Sequence, residues 1–342
     1  MINLLIGRNN ACKSTLLEAI YHSLGEFVGP RLVEAMRGRT NKSFSGRELW
    51  FDYDTSRAIR VSLGFPGLTL SVYLTFREEV FNRGLIDVDL AIGEEILESL
   101  FGGSNKLRVA TYQSDFNSSS STTMGIDHLA GTPPETQERI RTYIKGCRFI
   151  DVSAKRDVGA TEELLASLKT NRKAKEFGDI LYEMFGVGRN WEFLPELENR
   201  SGGEKREYRA ATIENEKPLF LSGLGDGIRS AMQIIGNGLA SSNTCLFIEE
   251  IENSQHPESL KKLIPSLVKI IKRNQLQAFI TTHSRLVWRL FETEFETDIE
   301  RDRSFRCFHV AKSPDCTVKC TPLSKTDEDE FYGAVDRDLW GG

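Results

Sequence analysis

The sequence predicts an α/β fold built around a mostly parallel sheet, and three observations support this prediction. The chain opens with an apolar segment, Ile2 to Ile6, which is followed by a glycine turn and the start of a helical pattern. Residues 217–283 alternate strand-like and helical segments, an order typical of parallel sheets. Polar residues follow several of these strands, at the sheet edge where ligands of parallel sheets bind.

The loop after the first strand, GRNNACKST at residues 7–15, has the composition of a phosphate-binding loop. Gly7 begins the turn, and Lys13 and Ser14 follow at the spacing of the motif G-x-x-x-x-G-K-[ST]. Cys12 stands where this motif has glycine. If the backbone is left-handed there, the β-carbon costs about 1–2 kcal/mol. We expect a tolerated substitution that weakens phosphate binding, and an inactive or redox-sensitive loop is the alternative.

The middle of the chain is predicted to hold an antiparallel sheet followed by a mostly helical insertion. Residues 48–56, 57–65 and 68–76 are rich in β-branched and aromatic residues and read as successive strands. Residues 77–101 are expected to be mixed and mostly helical. A polar mobile loop at 115–125, a helix at 133–145, a strand from Cys147 and helices within 161–185 complete the region. We expect one domain formed by residues 1–76, 77–190 and 191–342 together.

Two strands near the other end of the chain finish in residues suited to phosphate and metal chemistry. The segment TCLFI is followed by Glu249 and Glu250, and QAFITT is followed by His283. A carboxylate beside a phosphate loop can support Mg²⁺, and the next carboxylate can orient or deprotonate an attacking water. Each feature alone is more often a solvated strand end. Together with the loop at 7–15, they predict a nucleotide site.

Composition and charge exclude several classes of protein. The net charge of -5, from 44 basic and 49 acidic residues, restricts any contact with nucleic acid to a local patch or a partner. No apolar segment approaches the ~18 residues of a membrane span, and a signal peptide is not evident. Six scattered cysteines suit reduced thiols in the cytoplasm. A zinc site is not expected in the segment that contains Cys307, His309, Cys316 and Cys320, because it lacks CxxC spacing and reads as a hairpin.

Four segments of the chain resemble, in order, the motifs of ABC-type ATPase heads. GRNNACKSTLLEA, LSGLGDGIRSAMQII, CLFIEEIENSQHP and ITTHS resemble Walker A, the signature, Walker B with the D-loop, and the switch histidine. More narrowly, they are similar to the RecF-like and OLD-type (overcoming lysogenization defect) ATPases of prokaryotes. The resemblance implies an ABC-type P-loop head with a mostly parallel core sheet, an antiparallel β subdomain and a helical insertion. The Toprim nuclease domain of OLD nucleases is not expected, since 59 residues follow His283.

The resemblance also implies roles for individual residues. Glu250, His283 and Lys13 would be catalytic, and Ser14 and Glu249 would support Mg²⁺. ATP would contact the loop residues Gly7, Arg8, Asn9, Asn10, Ala11, Cys12, Lys13, Ser14 and Thr15 and, from a second subunit, the signature residues Ser222, Gly223 and Gly225.

These roles imply a cytoplasmic, Mg²⁺-dependent ATPase that forms a homodimer, or a higher homo-oligomer, around ATP. Dimerisation would control a DNA-directed or anti-phage defence effector, such as a separate nuclease, with DNA contacted through local patches and no membrane involved. The alternative is a hydrolysis-impaired, nucleotide-gated scaffold or regulatory subunit, because of Cys12. A nuclease in its own right is disfavoured, because the sequence offers no cluster of metal ligands outside the ATPase site.

Overall fold

The computed structural model describes residues 1–8, 11–28, 59–65, 68–79, 83–92, 107–115, 123–124, 146–152, 155, 157–200, 203–214, 217–295, 304–313 and 317–323. The strands are β1 (Ile2–Ile6), β2 (Ile59–Phe65), β3 (Leu68–Glu79), β4 (Arg83–Ile92), β5 (Leu107–Asp115), β6 (Thr123–Met124), β7 (Cys147–Ile150), β8 (Trp191–Arg200), β9 (Gly203–Glu214), β10 (Lys217–Phe220), β11 (Cys245–Ile248), β12 (Gln277–Thr282), β13 (Phe305–Lys312) and β14 (Val318–Leu323). The described helices are α1 (Lys13–Val28), α2 (Val158–Thr170), α3 (Ala174–Phe185), α4 (Asp226–Ala240), α5 (Pro257–Arg273) and α6 (Arg285–Thr293).

The predicted parallel sheet is present in the compact unit formed by Met1–Leu17 and Arg148–Gly342. Its six strands lie in the order β14-β13-β1-β12-β11-β7. Strand β1 pairs in parallel with β12 on one side and β13 on the other, and β11 pairs in parallel with β12. Only β14 is shown to be antiparallel to its neighbour, β13. The carboxyl ends of β1, β11 and β12 therefore lie at the same edge of the sheet.

The apolar composition of these strands explains why they form the centre of the unit. All five residues of β1 and all four residues of β11 are buried, as expected for strands covered on both faces. Phe149, Phe247 and Phe279 stack side by side across β7, β11 and β12. Helix α4 packs against α2 so closely that a β-carbon on Gly236 would lie 2.7 Å from a methyl group of Leu164.

The second compact unit, Glu18–Cys147, contains a five-stranded antiparallel sheet in the order β2-β3-β4-β5-β6. Strands β2 and β3 confirm the predicted strands at 57–65 and 68–76. The prediction of a mostly helical insertion from residue 77 is wrong for β4 and β5, although α2 and α3 agree with it. The missed signal in β4 is an alternation of period two, because Ile86, Val88 and Leu90 are separated by aspartates. The strand predicted at 48–56, the helix predicted at 133–145 and most of the loop at 115–125 lie outside the described residues.

Two further groups of strands are antiparallel. Strands β8, β9 and β10 form a three-stranded antiparallel sheet, in which Arg200 pairs with Gly203. Strands β13 and β14 pair antiparallel, which confirms the hairpin predicted for the segment that contains Cys307 and Cys320. Within the described ranges, no helix combines the length and the apolar character required to cross a membrane.

Candidate functional site

The loop at residues 7–15 begins at the carboxyl end of β1 and passes close to the neighbouring strand β13. A β-carbon on Gly7 would lie 2.2 Å from the carbonyl oxygen of Val310, a distance no side chain tolerates. Glycine is therefore required here by a close backbone approach. Within the loop, Arg8 and Thr15 are exposed and Ala11 is buried, while Asn9 and Asn10 lie outside the described residues.

Cys12 has a left-handed backbone, with φ of 62°. This is the conformation that glycine adopts without strain and that a β-carbon opposes, at about 1–2 kcal/mol. The left-handed backbone on which the expected cost of Cys12 depends is therefore present, and the residue occupies a position whose geometry suits glycine.

The side chain of Lys13 lies against the loop that precedes it. Its ammonium nitrogen donates hydrogen bonds to the carbonyl oxygens of Gly7 and Arg8, both at 2.8 Å. The side chain is buried, and burial lowers its pKa, while the negative charges of Glu252 and Glu250 act in the opposite direction. The only lysine of the loop is thus held inside the turn, next to the acids that follow β11.

The two residues predicted to support Mg²⁺ contact each other. The Ser14 hydroxyl donates a hydrogen bond to Oε1 of Glu249, although 235 residues separate them in the chain. Glu249 is buried at the end of β11, and its N–H donates to the carbonyl of Ile150 at 3.0 Å. A hydroxyl and a carboxylate are hard oxygen donors of the kind that Mg²⁺ binds, so the donor set fits this ion.

Glu250 also has a left-handed backbone, with φ of 43°. Its N–H donates to the hydroxyl of Thr281 at 2.9 Å, and its carbonyl accepts the N–H of Asn253 at 2.8 Å. The amide of Asn253 lies 3.4 Å from the Glu250 carboxylate. Sparsely populated conformations of this kind persist where the surroundings over-determine them, and they concentrate at functional sites.

His283 is paired with Glu252, a residue that the sequence analysis did not single out. Oε1 of Glu252 accepts the main-chain N–H of His283 at 2.8 Å and lies 2.9 Å from its ring nitrogen Nδ1. The contact with Glu252 raises the pKa of His283, and burial opposes this rise. Burial acts to raise the pKa of Glu252 itself, but the hydrogen bonds from His283 outweigh it and lower that pKa. The ring of His283 also senses the charges of Glu250 and Lys13, so the loop and the ends of β11 and β12 form one cluster.

Lys155 is a second residue of this cluster that the sequence analysis missed. Its side chain is buried, and its ammonium donates hydrogen bonds to the carbonyl oxygens of Glu249 and Glu250 at 2.5 and 2.8 Å. It lies in the segment DVSAKRD after β7, which carries no recognisable motif. The only available signal was a charged residue just beyond the end of a predicted strand.

The signature residues lie at the start of α4. Ser222, Gly223 and Gly225 are all exposed, and Gly225 is the residue that precedes the first turn of the helix. The helix start is attached to the loop after β11: Nε2 of Gln255 donates to the carbonyl of Gly227 at 2.7 Å. A β-carbon on Gly227 would lie 2.6 Å from the carbonyl oxygen of Ser254 in that loop.

Comparison with known proteins gives one family and several relatives. The sequence profile of the family described as "AAA ATPase domain" matches residues 99–287, which is more than half of the chain. The "ATP/GTP phosphatase" of Helicobacter pylori is 22% identical over 307 residues, covering 83% of this chain and 80% of that protein. The uncharacterized protein MJECL11 of Methanocaldococcus jannaschii is 38% identical over 61 residues, covering 18% of this chain and 54% of that protein.

Among solved structures, SMC head domains are similar at low identity. The SMC head bound to the C-winged helix domain of ScpA has a TM-score of 0.48 and 12% identity, covering 96% of this chain and 91% of that chain. The SMC head domain from Thermotoga maritima has a TM-score of 0.41 and 13% identity, covering 94% and 90% of the two chains.

Proposed function

The chain belongs to the AAA ATPase domain family, and we propose that it binds ATP with Mg²⁺ and hydrolyses it at the site described above. The observation that carries this proposal is the hydrogen bond between Ser14 and Glu249. It joins the phosphate loop to the acids after β11, and that is the arrangement a nucleotide-bound metal ion requires.

The residues divide the work of binding and hydrolysis between them. The N–H groups at the start of α1 and the ammonium of Lys13 would bind the phosphates. Ser14 and Glu249 would hold Mg²⁺, which when bound neutralises charge on the phosphate oxygens. Glu250 would orient the attacking water and accept its proton, and His283 would donate a hydrogen bond to the γ-phosphate.

Lys13 already uses two of its three ammonium protons on the carbonyls of Gly7 and Arg8. One N–H therefore remains for a phosphate oxygen. Contact with oxygens of both the β- and γ-phosphate requires the exchange of one carbonyl for phosphate. We infer that the lysine exchanges partners within its own loop when the nucleotide binds.

The hydrolysis proposal is tested by Glu250→Gln in a phosphate-release assay. We expect kcat to fall about 10²-fold or more, because the general base is lost, while ATP still binds. Glu258→Gln, a change in an exposed carboxylate of α5, is the matched control and should behave like the parent chain. Lys13→Ala should lose nucleotide binding first. Phosphate release that is unchanged in the Glu250 variant would refute the proposal.

We also propose that ATP joins two copies of the chain head to tail, with Ser222, Gly223 and Gly225 of one copy facing the γ-phosphate held by the other. The support is that these residues are exposed and resemble an ABC signature. Since ATP would then be part of the interface, tighter ATP binding by the dimer implies tighter dimerisation with ATP, by the same factor.

Light scattering with a non-hydrolysable ATP analogue tests this assembly. Ser222→Arg should abolish ATP-driven association and hydrolysis and leave ATP binding to the monomer nearly intact. Ser242→Arg places the same bulk and charge at an exposed residue beyond the other end of α4 and should associate normally. If the Ser222 variant still dimerises with nucleotide, the interface lies elsewhere.

For the biological role, we propose that the chain controls a DNA-directed or anti-phage defence effector in the cytoplasm, such as a separate nuclease. The support is the resemblance of its four motifs to OLD-type and RecF-like ATPases, and the six cysteines scattered along the sequence suit that compartment. Pull-down from native cells with mass spectrometry should recover the effector. The purified chain alone should leave plasmid DNA intact with Mg²⁺ or Mn²⁺, and cleavage would instead make it a nuclease itself.

A nucleotide-gated scaffold that hydrolyses little ATP is the second candidate function. The observation that favours it is the left-handed backbone of Cys12, because this geometry places a β-carbon and a thiol where the motif has neither. Exchange of Cys12 for glycine distinguishes the two functions, because a large gain in ATP hydrolysis would favour the scaffold.

A further inference from the structure

Lys155 combines near-complete burial with a specific set of contacts. Its side chain is 1% exposed, although it carries a charge that is costly to remove from water. The ammonium is compensated by two carbonyl oxygens, those of Glu249 and Glu250, which are 94 and 95 residues further along the chain. A single cation therefore ties the segment after β7 to two successive peptide groups after β11.

The surroundings of this ammonium are acidic. The negative charges of Glu252, Glu249, Glu250 and Asp151 favour its charged form, and burial opposes them. Burial is the larger effect and lowers the pKa of Lys155 to about 8. Both hydrogen bonds of the ammonium go to main-chain oxygens of the loop that presents the acids.

The contacts of Lys155 hold the main chain of Glu250, whose backbone conformation is sparsely populated. Glu250 is left-handed, and its N–H is held by the hydroxyl of Thr281 at 2.9 Å. Lys155 holds the two peptide groups that flank the Cα atom of Glu250: the carbonyl of Glu249 belongs to the same peptide group as that N–H, and the carbonyl of Glu250 belongs to the next one. The backbone of Glu250 is thus fixed by side chains from two other segments.

A role in stability alone explains these contacts poorly. Burial of an ammonium costs free energy, and the hydrogen bonds to the two carbonyls offset that cost. Hydrogen bonds to two consecutive carbonyls, by contrast, set the directions of the two peptide groups that flank one residue, and the side chain of that residue follows them. Displacement of a reacting group by about 1 Å can lower a rate by about 10²-fold.

We propose that Lys155 is a positioning residue for ATP hydrolysis, which holds the main chain of Glu249 and Glu250 so that the Glu250 carboxylate faces the attacking water. This inference rests on the proposed ATPase function. It assigns no contact between Lys155 and the nucleotide, and therefore it separates the effect on kcat from the effect on nucleotide binding.

The experiment measures kcat, KM and the affinity for a fluorescent ATP analogue in full-length variants. Lys155→Met keeps most of the side-chain volume and removes the N–H donors, and we expect kcat to fall by about 10²-fold while KM changes less than about threefold. Lys262→Met is the matched control, because Lys262 also donates to a distant main-chain carbonyl, that of Glu183 at 3.0 Å, but lies on the exposed surface. Its kcat should equal that of the parent chain.

A second variant keeps the test decisive if methionine prevents folding. Lys155→Gln is shorter than lysine and cannot reach both carbonyls, so its kcat should fall by about tenfold or more, again at constant KM. Thermal melting confirms which variants are folded. A folded Lys155 variant with the kcat of the parent chain, or one that loses affinity as much as kcat, would overturn the positioning role.

Phosphate release by the parent chain and by Glu250→Gln distinguishes a failure of the positioning role from a failure of the proposed ATPase function. If the parent hydrolyses ATP and Glu250→Gln does not, the function stands and the Lys155 variants alone decide the inference. If the parent releases no phosphate, the proposed function itself fails, and the positioning role fails with it.

Discussion

Exchange of Cys12 for glycine tests the phosphate loop through both stability and activity. Cys12 is already left-handed in the folded chain, with φ of 62°. Glycine removes the strain of about 1–2 kcal/mol that the β-carbon imposes. It also gives the unfolded chain more freedom, which destabilises the fold by about 0.4–1 kcal/mol. The expected net gain is therefore small, about 0–1.5 kcal/mol in the free energy of unfolding.

Thermal melting measures this first consequence of Cys12→Gly. A gain of that size should raise Tm by at most about 2–3 °C in a chain of this length. Arg172→Gly is the matched control, because Arg172 is also left-handed, with φ of 57°, and lies exposed just after α2. Both exchanges should change Tm by a similar amount, since they relieve the same backbone strain.

ATP hydrolysis measures the second consequence of Cys12→Gly. Because the strain belongs to the folded chain, relief of it should change folding more than nucleotide binding. We therefore expect kcat/KM within about threefold of the parent, which is less than 1 kcal/mol. Cys12→Ala removes the thiol and keeps the β-carbon, so it shows which of the two matters if the rate changes. A gain of about tenfold or more in the glycine variant alone, about 1.4 kcal/mol, would refute this reasoning and favour the scaffold.

Three further predictions concern single contacts. Glu252→Gln should lower the pKa of His283 toward its ordinary value of 6.5, because the contact with Glu252 is the main cause of the rise. NMR titration of the His283 ring measures this pKa, and an unchanged titration would contradict the pairing. Since the pKa of His283 is raised in the folded chain, the stability from this pairing is fully present below pH 6.5 and is lost as pH rises through the raised value. The difference in Tm between parent and variant should therefore shrink as pH rises above the raised pKa. Gly7→Ala would place a β-carbon 2.2 Å from a carbonyl oxygen of β13, so the loop must move. The fluorescent ATP analogue should then bind at least about tenfold more weakly, whereas equal binding would show that the strand moves instead. Asp157→Ala removes the side chain that caps the first turn of α2 and should lower the free energy of unfolding by about 1 kcal/mol in urea; Asp157→Asn, which can still cap, should restore most of it, and a variant without loss would show that the cap contributes nothing.

Local patterns in the sequence predicted the part of the site that lies on single elements. The apolar composition of β1 and β11 and the loop motif between β1 and α1 are local signals, and the structure places them at one edge of a parallel sheet. The left-handed backbone of Cys12 was predictable because the motif has glycine there. The roles of Glu250, His283 and the signature residues in hydrolysis and assembly stay predictions.

The partners of these residues could not be predicted from local patterns. Lys155 belongs to the site only because β7 lies next to β11 in the sheet, and no spacing in the sequence indicates that neighbour. Glu252 lies in the segment that resembles Walker B, but its pairing with His283 depends on the loop that follows β12. In β4, the alternation of apolar residues and aspartates was a local signal, and it was a better guide than the helical interpretation.

The position of β1 in the sheet has a consequence for synthesis of the chain on the ribosome. Both strands that pair with β1, β12 and β13, follow it by more than 270 residues. At about 5–20 residues per second, their synthesis takes on the order of tens of seconds after β1 is made. During this time, the segment INLLI has neither of its sheet neighbours, and its backbone groups and apolar side chains are open to other chains. The candidate site therefore cannot form until β12 and β13 have been made, and a chaperone that shields β1 until then should raise the yield of folded chain.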